Sequence, residues 1–315
     1  MIDLNTQDSI KLMLKSISVR RGGIVSKSTK VTFFVYIKQF CEFCGMTPDE
    51  LMKERRIQWK SDDMQVQRKH EEKLMDFAIH LREKGRTSNT ASTAVGAVRS
   101  LYRCNYMPII ELKFPAGRSV RKYKIPSKEE LAQVVGMAHI PWHKAFMVLT
   151  KDCGISLQDM LALKLGDGSA IYGTITQQLK KGQVPIHINI IREKTQFAYD
   201  TFLGEDSVEV LNNDYPRARM SGGMSGGEKR LFPYAPQTIQ DSMNALKKKM
   251  GWEDTFSPYS LRKWFRTQLT LDDMNDSLIE TMMGHSLTRV KAAYFIPPPQ
   301  KLIEKYEEHY PALKL

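Results

Sequence analysis

The sequence predicts a mainly α-helical protein of two domains, with a small β-sheet confined to the second. Residues 28–110 carry successive runs of helical apolar period and no strand-like alternation. Residues 111–126, within ELKFPAGRSVRKYKIPSK, lose that period and gather Pro, Gly, Lys and Arg, the composition of a basic linker. From residue 127 helical runs return, interrupted by short β-rich stretches near 170–175, at 184–191 and at 198–203. A chain of 315 residues is long enough to bury two cores, and a hydrophobic share of 42% suits a globular protein.

Residues 1–27 are expected to form an N-terminal arm with a short helix at 8–17. RRGGIVSKST superficially resembles a phosphate loop, but Ser26 precedes Lys27 where Gly is needed and no strand leads in. Helical period begins at Ser28 in STKVTFFVYIKQFCEFCGM and resumes in TPDELMKE, with Thr47 as N-cap and Pro48 in the first turn. A third run spans about 64–83, and TASTAVGAVRSLYRCN makes a fourth with small residues on one face. Cys41 and Cys44 form a C-x-x-C in which Cys44 shares a helical stripe with Tyr36, Phe40 and Phe43. No second Cys or His pair follows at ligand spacing, so a helix core is favoured over zinc.

The second domain, residues 127–315, opens at Ser127, an N-cap before KEELAQVVGMA. WHKAFMVLTKDCG and ISLQDMLALKLGD read as helices, VPIHINII and AYDTFL as strands, and residues 205–214 as helix. RARMSGGMSGGEKR is a basic surface loop, since its MSGGE has no P-loop to serve. QTIQDSMNALKKKMG is an amphipathic helix stopped at Gly251. The longest apolar runs fall far short of the roughly 20 residues of a membrane span, and the N-terminus lacks a secretory pattern. A cytoplasmic protein with no membrane partner is expected, and its four cysteines should be reduced.

The net charge of +12 and a pI near 9.4 call for a polyanionic partner. The stretch SPYSLRKWFRTQL…ETMMGHSLTRVKAAYF supplies the chemistry. Arg262 lies early in an amphipathic run, His285 follows a Gly that ends the next, and Tyr294 comes nine residues later. Arg offers a fixed fork of donors to phosphate, His carries one proton either way, and a Tyr hydroxyl can carry phosphate covalently. Order and spacing resemble the tyrosine recombinases of phage and archaeal type, with H-x-x-R, then G-H, then a nucleophilic Tyr. The first box stands here as Tyr259, Ser260, Leu261, Arg262, and YFIPPPQKLIEKYEEHYPAL is similar to archaeal tails.

That resemblance implies an all-α core-binding domain joined by the linker to an α+β catalytic domain, both holding duplex DNA, with the chain assembling on DNA as a dimer to tetramer. It implies site-specific recombination, integration or transposition through a 3′-phosphotyrosyl intermediate, without cofactor or metal. Tyr294 would be the nucleophile, Arg262 would stabilise the transition state, and His285 would assist proton transfer. Lys194, in REKT of the β-hairpin, would be the general acid, with Lys180 and Lys181 as fallbacks. DNA contacts would come from Lys27, Lys30, Thr87 and Arg99 in the first domain and from Arg118, Arg121, Lys122 and Lys124 in the linker. Two departures stand out: the family's G-x-R-x-x-E/D box has Ser156 at its Arg position, with Asp159 matching the acid, and Tyr259 replaces a His. Arg192 and Arg266 are candidates for the missing cation. A chain that binds and bridges DNA without cutting is the alternative that Ser156 raises. The apolar stripe Leu302, Ile303, Tyr306 and Tyr310, beyond the prolines at 297–299, must dock on a neighbouring catalytic domain or fold back on its own.

Overall fold

In this computed structural model the described residues are 3–20, 23, 25–109, 122–192, 196–215, 230–285 and 295–315. They belong to two compact units, Met1–Val120 and Arg121–Leu315. Most helices of the first begin at a polar cap. Ser26 accepts the Thr29 N–H to start α2 (Lys27–Cys44), Thr47 and Glu50 close a capping box on α3 (Pro48–Trp59), and Thr87 starts α6 (Ser88–Cys104).

α1 (Asp8–Arg20) is not a detached arm. Ile10, Met13 and Ile17 fall at helical spacing and are buried with Phe40, Leu51, Phe77 and Leu101. The Asp49 carboxylate accepts the N–H groups of Asp8 and Ser9 at 3.0 and 2.8 Å, and the Asn105 amide donates to the Ser9 carbonyl. The expected boundary at residue 28 therefore lies within this unit. The run at 64–83 is two helices, α4 (Met64–Gln67) and α5 (Lys69–Glu83). They part where the Gln67 carbonyl accepts from buried Arg55, whose guanidinium also grips Glu71 at 2.6 and 2.8 Å. Cys41 is buried within α2, and burial pushes its thiol up to about 12. Among the described residues no cluster of His, Cys, Asp or Glu could hold a metal ion, and no helix is long and apolar enough to cross a membrane.

The second unit is built on α8 (Pro141–Cys153), buried from Ala145 to Cys153. Around it lie α7 (Lys128–Gly136) and α9 (Leu157–Ala162). Two-residue strands β1 (Gly168–Ser169) and β2 (Gly173–Thr174) form a hairpin smaller than the β-run expected near 170–175. Thr174 then caps α10 (Ile175–Lys180), which the sequence reading did not anticipate because six residues show too little period. β3 (Ile186–Ile191) and β4 (Ala198–Leu203) pair antiparallel with Ile188 opposite Thr201. α11 (Glu205–Asn213), α12 (Pro236–Lys249), α13 (Pro258–Leu271) and α14 (Asp276–Met282) follow.

The tail, α15 (Pro299–His309) and a 3-10 turn at Tyr310–Ala312, folds back onto its own unit. Leu302, Tyr306 and Leu313 are buried in the same core as α8, and the Tyr306 hydroxyl donates to the Asp152 carbonyl at 3.0 Å. Fully buried Lys151 donates to Asp152 and Asp206 and to the Leu313 carbonyl, fastening the chain end. Docking of this stripe on a neighbour is thereby corrected: its apolar face is spent within the chain. Tyr306→Ala should cost about 3–5 kcal/mol and lower Tm by roughly 10 °C in thermal unfolding. A loss under about 1 kcal/mol would show that the tail is not core.

Candidate active site

Arg262 is placed by α13. Ser257 and Ser260 box the start of that helix, with Pro258 in its first turn, and Leu261, Trp264, Phe265 and Leu269 turn its apolar face into the core. That rotation carries Arg262 inward, to 5% exposure. Its Nη1 donates to the Gly154 carbonyl at 2.6 Å. Nη2 donates to the Met283 carbonyl at 2.8 Å and meets His285 Nε2 at 2.5 Å. The guanidinium thus joins the end of α8 to the turn after α14.

Two glycines make this corner possible. Gly154 and Gly284 both sit at left-handed φ, 60° and 65°. A Cβ at Gly154 would lie 2.3 Å from the Phe265 ring, and one at Gly284 would lie 2.7 Å from Tyr199.

His285 is fixed in one tautomer. Arginine is only a donor, so Nε2 must accept, and the proton resides on Nδ1, which donates to the Glu280 carboxylate. Burial and the Arg262 cation hold its ionisation below the usual histidine range, opposed by Glu280. The ring is neutral near pH 7, with its basic nitrogen turned to the arginine. Burial likewise holds Arg262 below its ordinary value.

Arg192 follows β3 and reaches the same corner, where Nη1 donates to the Gly284 carbonyl at 2.5 Å. Arg266 does not: it is bound to Glu280 and lies 3.7 Å from Asp276. Ser156 is engaged as the N-cap of α9, its hydroxyl accepting the Asp159 N–H and donating to the Asp159 carboxylate at 2.7 Å. Asp159 is buried and accepts from the Tyr199 hydroxyl at 3.3 Å. Tyr259 stands apart. Half exposed, it packs on Tyr123 and under Lys263, and among the described residues it makes no hydrogen bond to Arg262 or His285. Tyr294 and Lys194 lie outside the described residues, while Lys180 and Lys181 are exposed at the end of α10.

Lys27 and Lys30 are exposed at the start of α2, Thr87 caps α6, and Arg99 is half-buried. Lys122 is exposed, but Lys124 is not a free phosphate donor. Its ammonium meets Glu130 at 2.6 Å and Trp252 at 5.0 Å, and its N–H donates to the Thr255 carbonyl. The stretch expected to be linker through residue 126 thus enters the second unit at Lys122. Arg118 and Arg121 lie outside the described residues. Sequence reasoning missed Glu280, whose one available signal was its place one helical turn and a cap before His285.

The phage integrase family model matches residues 127–296, more than half of the chain. The chain belongs to the phage integrase family. Two relatives of this integrase family member are named tyrosine recombinase XerC. That of Brucella suis biovar 1 (strain 1330) is 26% identical over 262 residues, covering 76% of this chain and 77% of the relative. That of Leptospira interrogans (serovar copenhageni, strain Fiocruz L1-130) is 22% identical over 302 residues, covering 91% and 88%. Its fold is similar to lambda integrase, solved as a tetramer bound to a Holliday junction, with TM-score 0.60, 14% identity, and 94% of this chain and 78% of that one covered. The Tn1549 transposon integrase, solved with transposon right end DNA, gives TM-score 0.59 at 15% identity, covering 96% and 99%.

Glu280→Gln removes the charge that favours the imidazolium while keeping an acceptor for Nδ1. In an NMR titration of the ring, His285 should protonate at lower pH than in the parent chain. An upward shift would mean that the carboxylate does not govern this histidine.

Proposed function

We propose that this integrase family member cleaves and rejoins DNA strands at specific sites through a phosphotyrosyl intermediate. The observation that carries the reading is the corner at Gly284 and His285. There two guanidiniums, Arg192 and Arg262, converge beside a neutral histidine and neither has a salt bridge to a carboxylate among the described residues. Cations held this way suit a phosphodiester.

In the reaction we assign, the Tyr294 oxygen bonds to phosphorus as the bond to the 5′-oxygen breaks. The phenol proton leaves with assistance from His285, and Lys194 protonates the departing 5′-hydroxyl. Arg262 stabilises the charge on the nonbridging oxygens. Attack by a 5′-hydroxyl on the tyrosyl ester reverses the step, so the phosphodiester energy is conserved and the chemistry requires no nucleotide. Tyr306 and Tyr310 are poor substitutes as nucleophiles, since burial raises both phenols well above the usual tyrosine range. The named relatives and the DNA-bound assemblies similar in fold support duplex DNA as substrate and assembly of several copies on it, and a DNA substrate fits a cytoplasmic place of action.

The second reading, a chain that binds and bridges DNA without cutting, draws on Ser156, whose hydroxyl is taken up by Asp159. Incubation with nicked duplexes separates the two. A DNA-linked species on a denaturing gel is expected, and Tyr294→Phe should abolish it with little change in affinity. An adduct that persists in that variant would assign the nucleophile elsewhere.

Binding should also weaken steeply with salt, and replacing Arg121 and Lys122 together should reduce the log–log slope by roughly 2. An unchanged slope would make that stretch a spacer.

A further inference from the structure

We propose that Arg192 is the second phosphate-binding guanidinium of this site, gripping the nonbridging oxygens of the scissile phosphate together with Arg262 where Ser156 offers no cation. The inference rests on the strand-cleaving reading for its role in catalysis, but the contact itself is a matter of binding and can be read separately.

The hairpin sets the position of Arg192. Its N–H donates to the Phe197 carbonyl at 2.9 Å and its carbonyl accepts the Gln196 N–H at 2.8 Å, so the residue is pinned where β3 ends. From there the side chain spans to the Gly284 carbonyl, one residue beyond the Met283 carbonyl that holds Arg262. Two guanidiniums are therefore anchored on successive carbonyls of one turn. Each uses neutral anchors, which orient a cation without cancelling its charge.

The donors left over matter most. Among the described residues Arg192 Nε is buried with no hydrogen-bond partner, although a guanidinium presents five N–H groups and a buried donor left unpaired is costly. Neither Arg192 nor Arg262 has a salt bridge to a carboxylate among the described residues. Arg266, on the same helix as Arg262, is held by Glu280 and Asp276, which removes it as the alternative. Asp159 is occupied by the Ser156 and Tyr199 hydroxyls. The Arg192 charge opposes protonation of both Arg262 and His285, as expected of a nearby cation. Two guanidiniums anchored on neighbouring neutral carbonyls, neither in a salt bridge among the described residues, suit an anion, and a phosphate offers acceptor oxygens to both.

The test uses the full chain, a duplex selected from a random library for binding to it, and the same duplex nicked beside the cleaved linkage. Arg192→Ala should lower the rate of adduct formation about 10²-fold or more, with affinity changed less than about threefold. Arg192→Lys, which keeps charge but loses the fork, should fall between. On a methylphosphonate linkage, where one nonbridging oxygen becomes a neutral methyl, the gap between parent and Arg192→Ala should close. Wild-type rates in Arg192→Ala would overturn the proposal. So would a defect that methylphosphonate leaves intact, because Arg192 would then act only by holding the Gly284 turn. Binding is read in a Tyr294→Phe background, with methylphosphonate walked one linkage at a time through the duplex. One position should weaken binding when Arg192 is present and not when it is Ala, and the absence of any such position would also overturn the proposal. Should the parent chain form no adduct while this binding signature appears, the strand-cleaving reading fails and the phosphate contact stands.

Discussion

The buried Arg262 guanidinium is the fixed point of the second unit. Three of its contacts, to the Gly154 carbonyl, the Met283 carbonyl and His285 Nε2, join segments far apart in the chain. A guanidinium is costly to bury without partners, so the carbonyls that receive it must be presented accurately. Both neighbouring glycines serve that need, because left-handed φ and close aromatic rings exclude a side chain at Gly154 and Gly284. The corner and the packing of α13 against α8 are thus one structure.

Charge is handled differently on the two sides of this corner. Toward Arg266, Glu280 neutralises a cation and fixes the His285 tautomer at the same time. Toward Arg192 and Arg262, the anchors are neutral and the positive charge remains available. Under the proposed function a phosphodiester on the second side would meet cations whose orientation is already set, so little reorganisation would accompany binding. Ser156 ties Asp159 and the start of α9 together.

The chain end adds to the rigidity behind the site. Lys151, buried beside the last residues of α8, binds two aspartates and the Leu313 carbonyl, and Tyr306 stacks against Phe202 of β4. The tail that follows the prolines therefore braces the strand pair whose hairpin carries Arg192. Assembly on DNA, where it occurs, must use surfaces other than this stripe.

Features whose partners lie within a few residues were legible in the sequence. The caps at Thr47 and Ser127, the Gly stops, the β3 and β4 runs and the order Arg262, His285, Tyr294 all follow from local chemistry and spacing. The tertiary structure alone put Arg192 on the Gly284 carbonyl and Arg266 on Glu280, committed Lys124 to Glu130, packed Tyr259 on Tyr123, brought α1 into the first core and folded the tail back. Each of these is a choice among chemically equivalent partners distant in the chain. An arginine reads the same in sequence whether it meets a carboxylate or a carbonyl, and an apolar stripe reads the same whichever groove receives it. Burial and the positions of fixed backbone acceptors make that choice, and both exist only once the helices have packed.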